Sequence, residues 1–222
     1  MSDELLNCVE IEPARPAERT VLWLHGLGAD GHDFEPIVPH LGMPEDLAVR
    51  FVFPHAPRIP VTINMGLIMP AWYDIREMDL RREHDMDGVR RSADQVRALI
   101  ERERDRGVPP ERIVLAGFSQ GGAIALYLGL RFPERLAGIM ALSTYLVGEN
   151  LAEEAAEANR STPVFQAHGT HDPMVQVSRG EAARDALVAE GYSVDYRAYP
   201  MEHQVHPDEI HDIGEWLRKV LA

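Results

Sequence analysis

Three side chains in this chain have types and an order that can do chemistry. They are a serine in Gly117-Phe118-Ser119-Gln120-Gly121, an aspartate in His168-Gly169-Thr170-His171-Asp172-Pro173, and a histidine in Met201-Glu202-His203. A serine hydroxyl is a weak nucleophile until a base takes its proton, and that base is usually a histidine held by a carboxylate. Ser119 sits in a G-x-S-x-G pattern. Such a pattern places the serine on a strained turn from strand to helix, and its glycines let neighbouring backbone come close. Chains that use this turn carry their partners in the order Ser, Asp or Glu, His, and Asp172 and His203 follow Ser119 in that order. Pro173 holds Asp172 in extended geometry, suited to a carboxylate fixed in a turn.

Acyl transfer through a serine also needs donors aimed at the oxyanion of the tetrahedral intermediate. The N–H of Gln120, next to the nucleophile and at the start of its helix, is one expected donor. The other is expected from His25-Gly26-Leu27-Gly28-Ala29-Asp30-Gly31, where three glycines let the chain fold back beneath a substrate. Leu27 is the residue whose N–H is placed there. The same loop lacks the Gly-Lys-Ser/Thr ending of a phosphate-binding loop, which argues against a nucleotide. A metal site can be written from His168 and His171, or from His203, His206 and His211. Yet the first pair flanks a Gly-Thr turn, and no H-E-x-x-H pattern or thiolate cluster accompanies either set. No metal and no cofactor is therefore expected.

The elements around these residues must deliver them to one place. Residues 112–116 read as a buried parallel strand, and 122–130, apolar all round, as a buried helix halted by Pro133. Further strands are expected at 5–10, 20–25, 50–53, 136–142, 163–168 and 194–199. Apolar residues at Met86, Val89, Ala93, Val96 and Ile100 recur in steps of three and four, which predicts a helix over 87–106. A short helix is expected at 151–160. Ser178-Arg179-Gly180-Glu181 reads as a capping box opening a helix that Gly191 closes, and Pro207 starts a last helix with Ile210, Ile213, Leu217 and Val220 on one side. Alternating strands and helices predict an α/β domain with a mainly parallel sheet covered on both faces. Ligands then bind at the C-terminal strand ends, where Ser119, Asp172, His203 and the glycine loop all fall.

Composition bounds the rest. A chain of 222 residues is expected to form one domain, 1–222, and its 45% hydrophobic and 26% charged residues are those of a globular protein. A formal net charge of −14 repels nucleic acid and anionic lipid, so neither nucleic acid nor a stable membrane association is expected. Arg76, Arg81, Arg82, Arg90 and Arg91 interleave with acidic residues and read as a solvated, mixed-charge face. No apolar run reaches membrane-spanning length and the acidic N-terminus is unlike a signal peptide, so the expected location is cytoplasmic. The single cysteine, Cys8, allows no internal disulfide and reads as a packing residue.

Taken together, the four motifs around Gly26, Ser119, Asp172 and His203 resemble the carboxylesterase / acyl-protein thioesterase family of small α/β-hydrolases without a large cap domain. The resemblance runs in order from about Leu22 to the C-terminus, and Ala71-Trp72-Tyr73-Asp74 is similar to the bacterial carboxylesterase branch. It implies an α/β-hydrolase fold and hydrolysis of small-molecule esters or acylated substrates of short to medium chain, with thioesters and lysophospholipids as further candidates. One departure is Pro200, where a smaller residue is expected before the His203 loop. The resemblance also gives a meaning to residues 60–72, which have no clear periodicity but are rich in Ile, Met and Trp. In the family a loop here forms much of the acyl groove, which makes Ile68, Met69 and Trp72 candidate substrate-binding residues. A satellite core or a homodimer contact are the alternatives for the same cluster. A peptidase or amidase on this fold, and a binding module without turnover, are the competing functions.

Overall fold

The computed structural model describes residues 5–76, 84–148 and 151–222, apart from the side chain of Ala152. Arg81 and Arg82 of the mixed-charge segment fall at 77–83, outside the described residues. Of its described members, Arg76 lies near Asp74 and Asp85, and Arg90 pairs with Asp87.

The frame is a seven-stranded sheet ordered β1-β3-β2-β6-β7-β8-β9. Its strands are β1 (Cys8–Ile11), β2 (Arg19–Leu24), β3 (Val49–Pro54), β6 (Ile113–Phe118), β7 (Gly138–Leu142), β8 (Val164–Gly169) and β9 (Val194–Tyr199). Only β1 pairs antiparallel; every other neighbour is parallel. The central strands alternate between two cores, as the two-residue period of a strand requires. Leu22, Leu24, Ile113, Leu115, Ile139 and Ala141 face one core. Val21, Trp23, Val114, Ala116, Met140 and Leu142 face the other. Helices α1 (Met86–Asp105), α2 (Gln120–Arg131) and α4 (Val177–Ala189) contribute to the first core, and α5 (Pro207–Val220) with the 3-10 turn Glu35–Leu41 closes the second. Strand order reverses between β2 and β6, so the loops leaving those two strands diverge and open a crevice.

The structure corrects the sequence reading in three places. The stretch 59–74 contains a separate hairpin, β4 (Arg58–Val61) with β5 (Leu67–Pro70), joined through the 3-10 turn Thr62–Asn64. Two prolines in it mask the strand signal, and they are tolerated because a two-stranded ribbon has only edge strands. The left-handed backbone at Met65 and Gly66, φ 56° and 75°, makes its tip. Residues 151–160 form a short helix, α3 (Leu151–Glu154), and a 3-10 turn Glu157–Asn159, not one helix. The buried Asn159 side chain breaks the run by donating to the Phe132 and Glu134 carbonyls and accepting from the Leu136 N–H. Finally, α4 starts at Val177 with Gln176 as its N-cap, so Ser178 caps nothing. The preceding Val175 is buried and its N–H is held by Asp172, which sets where the helix can begin. Gly191 closes α4 as expected, at φ 84°.

Cys8 lies against the first core with its thiol pushed up to about 11, chiefly by burial, consistent with packing and not nucleophilic use.

Candidate active site

Ser119 directly follows β6 and precedes α2, with φ 52° and ψ −119°. A non-glycine residue in this region is strained, and the surroundings hold it there. Its N–H donates to the Leu142 carbonyl at 2.8 Å, and its carbonyl accepts from Thr144 Oγ1 at 2.6 Å and Ala123 N at 3.1 Å. The glycines are explained by clearance. A Cβ on Gly117 would lie 2.3 Å from Gly121 backbone, and one on Gly121 would lie 2.5 Å from the Leu24 and His25 carbonyl oxygens. The elbow therefore closes only if both positions lack a side chain.

The chain brings the expected partners to this serine from the ends of β8 and β9. His203 Nε2 is 2.9 Å from Ser119 Oγ, and His203 Nδ1 is 2.6 Å from Asp172 Oδ2. Asp172 Oδ1 accepts the N–H groups of Met174 and Val175, both at 2.8 Å. Burial pushes the Asp172 carboxyl up. The His203 hydrogen bond, the two N–H donors and the His203 charge outweigh it, and the net shift is below the ordinary carboxylate value. The Asp172 carboxylate is thus fixed, ionised and pointed at one imidazole nitrogen, leaving the other free to accept from Ser119. Pro200 does not displace His203 from this geometry.

Gln120 is the first residue of α2, so its N–H has no carbonyl one turn back to bond. Leu27 faces the same cavity. Among the described residues the Leu27 N–H has no hydrogen-bond acceptor, while its neighbours are engaged: Gly28 N–H with the Pro70 carbonyl and Ala29 N–H with the Gly26 carbonyl. Gly26 presses on the elbow, where an added Cβ would lie 3.5 Å from Ser119 Cβ.

Three side chains that hold this geometry were not foreseen for that task. Gln120 is buried, accepts the Trp72 N–H at 2.8 Å and donates to the Tyr73 carbonyl at 2.7 Å. Trp72 Nε1 donates to the His25 carbonyl at 2.8 Å. His25 donates from Nδ1 to the Gly26 carbonyl and accepts the Ala56 N–H at Nε2, so its ring is neutral, and burial lowers its pKa. Together they tie the 70–73 segment, the glycine loop and the elbow into one unit. A long amide inside an otherwise apolar helix start was the available sequence signal for Gln120.

The cavity over Ser119 holds about 580 Å³. Its apolar wall includes Ile63, Met69, Ile75, Tyr145, Met174 and Val175. Of the three expected pocket residues, Met69 is on this wall and the other two are not. Ile68 is 57% exposed, because adjacent residues of β5 point to opposite faces. Trp72 is 2% exposed and serves as a strut below the site. The histidine pairs do not assemble. His168 is buried with Nε2 donating to the Val175 carbonyl, and His171 is exposed. Among the described residues, no group of three His, Cys, Asp or Glu side chains is placed to hold a metal ion.

Comparison with known proteins places nearly the whole chain in one family. The phospholipase/carboxylesterase family model matches residues 6–221. Acyl-protein thioesterase 1 of Gibberella zeae is 40% identical over 212 residues, covering 91% of this chain and 90% of that protein. A probable carboxylesterase of Oryza sativa subsp. japonica is 37% identical over 205 residues, covering 90% of this chain and 77% of that protein. The crystal structure of Arabidopsis thaliana SOBER1 superposes with a TM-score of 0.87 at 33% identity, covering 93% of this chain and all (100%) of that one.

Proposed function

The chain belongs to the phospholipase/carboxylesterase family of ester hydrolases, and from that premise we propose that Ser119, Asp172 and His203 are its catalytic triad, carried by a single domain. The observation that supports this most is the continuous chain of contacts from Asp172 through His203 to the Ser119 hydroxyl. Ser119 Oγ attacks the acyl carbon while His203 Nε2 takes its proton. The Leu27 and Gln120 N–H groups stabilise the oxyanion. His203 then protonates the departing alcohol or thiol, and water, activated by the same imidazole, releases the acid from Ser119. The substrates are carboxylic esters of short to medium acyl chain. The thioesterase names of its relatives support thioesters, and the family description supports lysophospholipids. A fluorophosphonate probe tests the assignment: it should label the protein at Ser119 and at no other residue, and an unlabelled, folded protein would refute it.

The acyl chain is assigned to the apolar wall at Met69 and Ile63. Each methylene that moves from water onto such a wall contributes about 0.8 kcal/mol, roughly fourfold in kcat/KM if fully realised in the transition state. Met69→Ala should therefore flatten the rise of kcat/KM with acyl length across a series of p-nitrophenyl esters. Ile68→Ala should leave that profile parallel to the parent. Exposed Met65, Leu67 and Ile68 support a homodimer contact at the hairpin tip instead, which sedimentation of the Ile68 variant would reveal as a shift toward monomer.

No metal takes part in this scheme, so turnover should be unchanged after dialysis against EDTA. Activity lost to the chelator and restored by zinc would return the histidines to consideration. Among the described residues no helix is long and apolar enough to cross a membrane. That fact, with the acidic surface, supports a cytoplasmic enzyme without stable membrane association and without nucleic-acid partners.

A further inference from the structure

Among the described residues that line the cavity over Ser119, Asp33 is the only Asp, Glu, Lys or Arg. No hydrogen bond or ion pair reaches its carboxylate from the described residues. Its neighbours are engaged elsewhere. Asp30 accepts the His32 N–H at 2.8 Å, and the His32 ring pairs with Glu35 at 2.8 Å. Asp33 is exposed to solvent on its outer side, while partial burial against the cavity wall, and then the charge of Asp30, push its carboxyl up, and no cation among the described residues pairs with it. An uncompensated carboxylate beside an apolar cavity attracts a cation more strongly than one in open water.

Its position says which part of a substrate it meets. The Phe34 ring, on the next residue, lies tilted with its centre 5.5 Å from that of Phe118, whose ring is in turn 4.8 Å from the His203 ring. Phe34 and Phe118 belong to the core on one face of the sheet. Tyr145 and Val175, with Ile75 packed against them, belong to the core on the other face. Asp33 and His203 thus adjoin the Phe34–Phe118 pair on one face, while Ile75, Tyr145 and Val175 line the cavity toward the other. Because His203 protonates the leaving group, that group departs on the side of Asp33.

Resting on the hydrolase reading above, we propose that Asp33 sets leaving-group specificity and selects esters and thioesters whose alcohol or thiol portion carries a positive charge. Such a substrate is cleaved with no additional reactant. The acyl–oxygen or acyl–sulfur bond breaks, His203 returns the proton to the cationic alcohol or thiol, and water supplies hydroxide to the acyl group and a proton to the base. The net charge of −14 acts in the same direction by repelling anionic esters from the surface.

The test is a matched pair, butyrylcholine and its uncharged isostere 3,3-dimethylbutyl butyrate, which differ in charge and hardly in shape. The wild type should favour the cation by roughly tenfold in kcat/KM, equivalent to about 1.4 kcal/mol. The preference should shrink in high salt. In Asp33→Asn the ratio of the two kcat/KM values should fall close to one. Asp33→Glu should keep a preference, and Asp33→Lys should reverse it. The ratio is read within each variant, so a change in overall stability or rate does not imitate the effect. A wild type that cleaves both esters without preference, or an Asp33→Asn ratio equal to wild type, overturns the proposal and leaves the hydrolase reading standing. A wild type that cleaves neither overturns the hydrolase reading and this proposal with it.

Discussion

Replacing Ser119 or His203 with alanine should each lower kcat/KM for a p-nitrophenyl ester by roughly 10⁴-fold or more, with the protein still folded. The structure separates the two outcomes for Ser119. The hydrogen bonds that hold the elbow run through its backbone: the N–H to Leu142, and the carbonyl to Thr144 and Ala123. Alanine keeps all three, and it bears the same strained φ of 52° as serine does. Only the hydroxyl and its 2.9 Å contact with His203 Nε2 are lost. Thermal unfolding should therefore move little while turnover collapses. The double variant should be scarcely slower than either single one, because the nucleophile and its base act as one device. Near-normal turnover in a well-folded Ser119→Ala protein would remove Ser119 from the mechanism.

Asp172→Asn should cost about 10⁴-fold in kcat, for a different physical reason. Oδ1 accepts two backbone N–H groups, from Met174 and Val175, and an asparagine in this turn must keep its carbonyl oxygen there. Its NH₂ is then forced to face His203 Nδ1, where the carboxylate oxygen stood at 2.6 Å. A donor at that place requires Nδ1 to be the acceptor, so the proton moves to Nε2. An imidazole protonated at Nε2 cannot take the proton of Ser119. The loss should appear in kcat, with the elbow and the substrate cavity unaltered and KM for the ester little changed. A variant retaining more than about a tenth of wild-type kcat would mean that the tautomer is set by some group other than Asp172.

The sequence carried the elements nearest the site with good accuracy. Strand β9 has the expected ends and helix α5 the expected start, and β6, α1 and α2 lie within one or two residues of their expected bounds, β6 reaching to Phe118. Their signals are local: a short apolar run, a step of three and four, a proline at a helix start. The order Ser119, Asp172, His203 was legible for a related reason. Each partner follows its own strand, and a parallel sheet gathers the C-terminal ends of its strands at one edge. The same rule located the glycine loop at Leu27 without any structure.

What only tertiary structure decided is everything that depends on one side chain meeting a segment distant in sequence. Trp72 was expected on the acyl wall because the resembling family builds its acyl groove from a loop in this region. It is instead committed to the His25 carbonyl, 47 residues away, as a strut. Ile68 and Met69 are adjacent and similar in character. The pleat of a hairpin sends one to solvent and the other to the cavity, and two prolines hid that hairpin. Asn159 ended a helix that periodicity alone would have continued, because three backbone groups between Phe132 and Leu136 needed its amide. Asp33 has no signature in a string of residues, since its place on the cavity wall exists only in the fold. Local periodicity and motif order are written into neighbouring residues, so the chain determined by itself where Ser119, His203 and Asp172 would meet. Which apolar residues touch substrate, and which merely hold the site together, depends on long-range contacts that exist only in the fold.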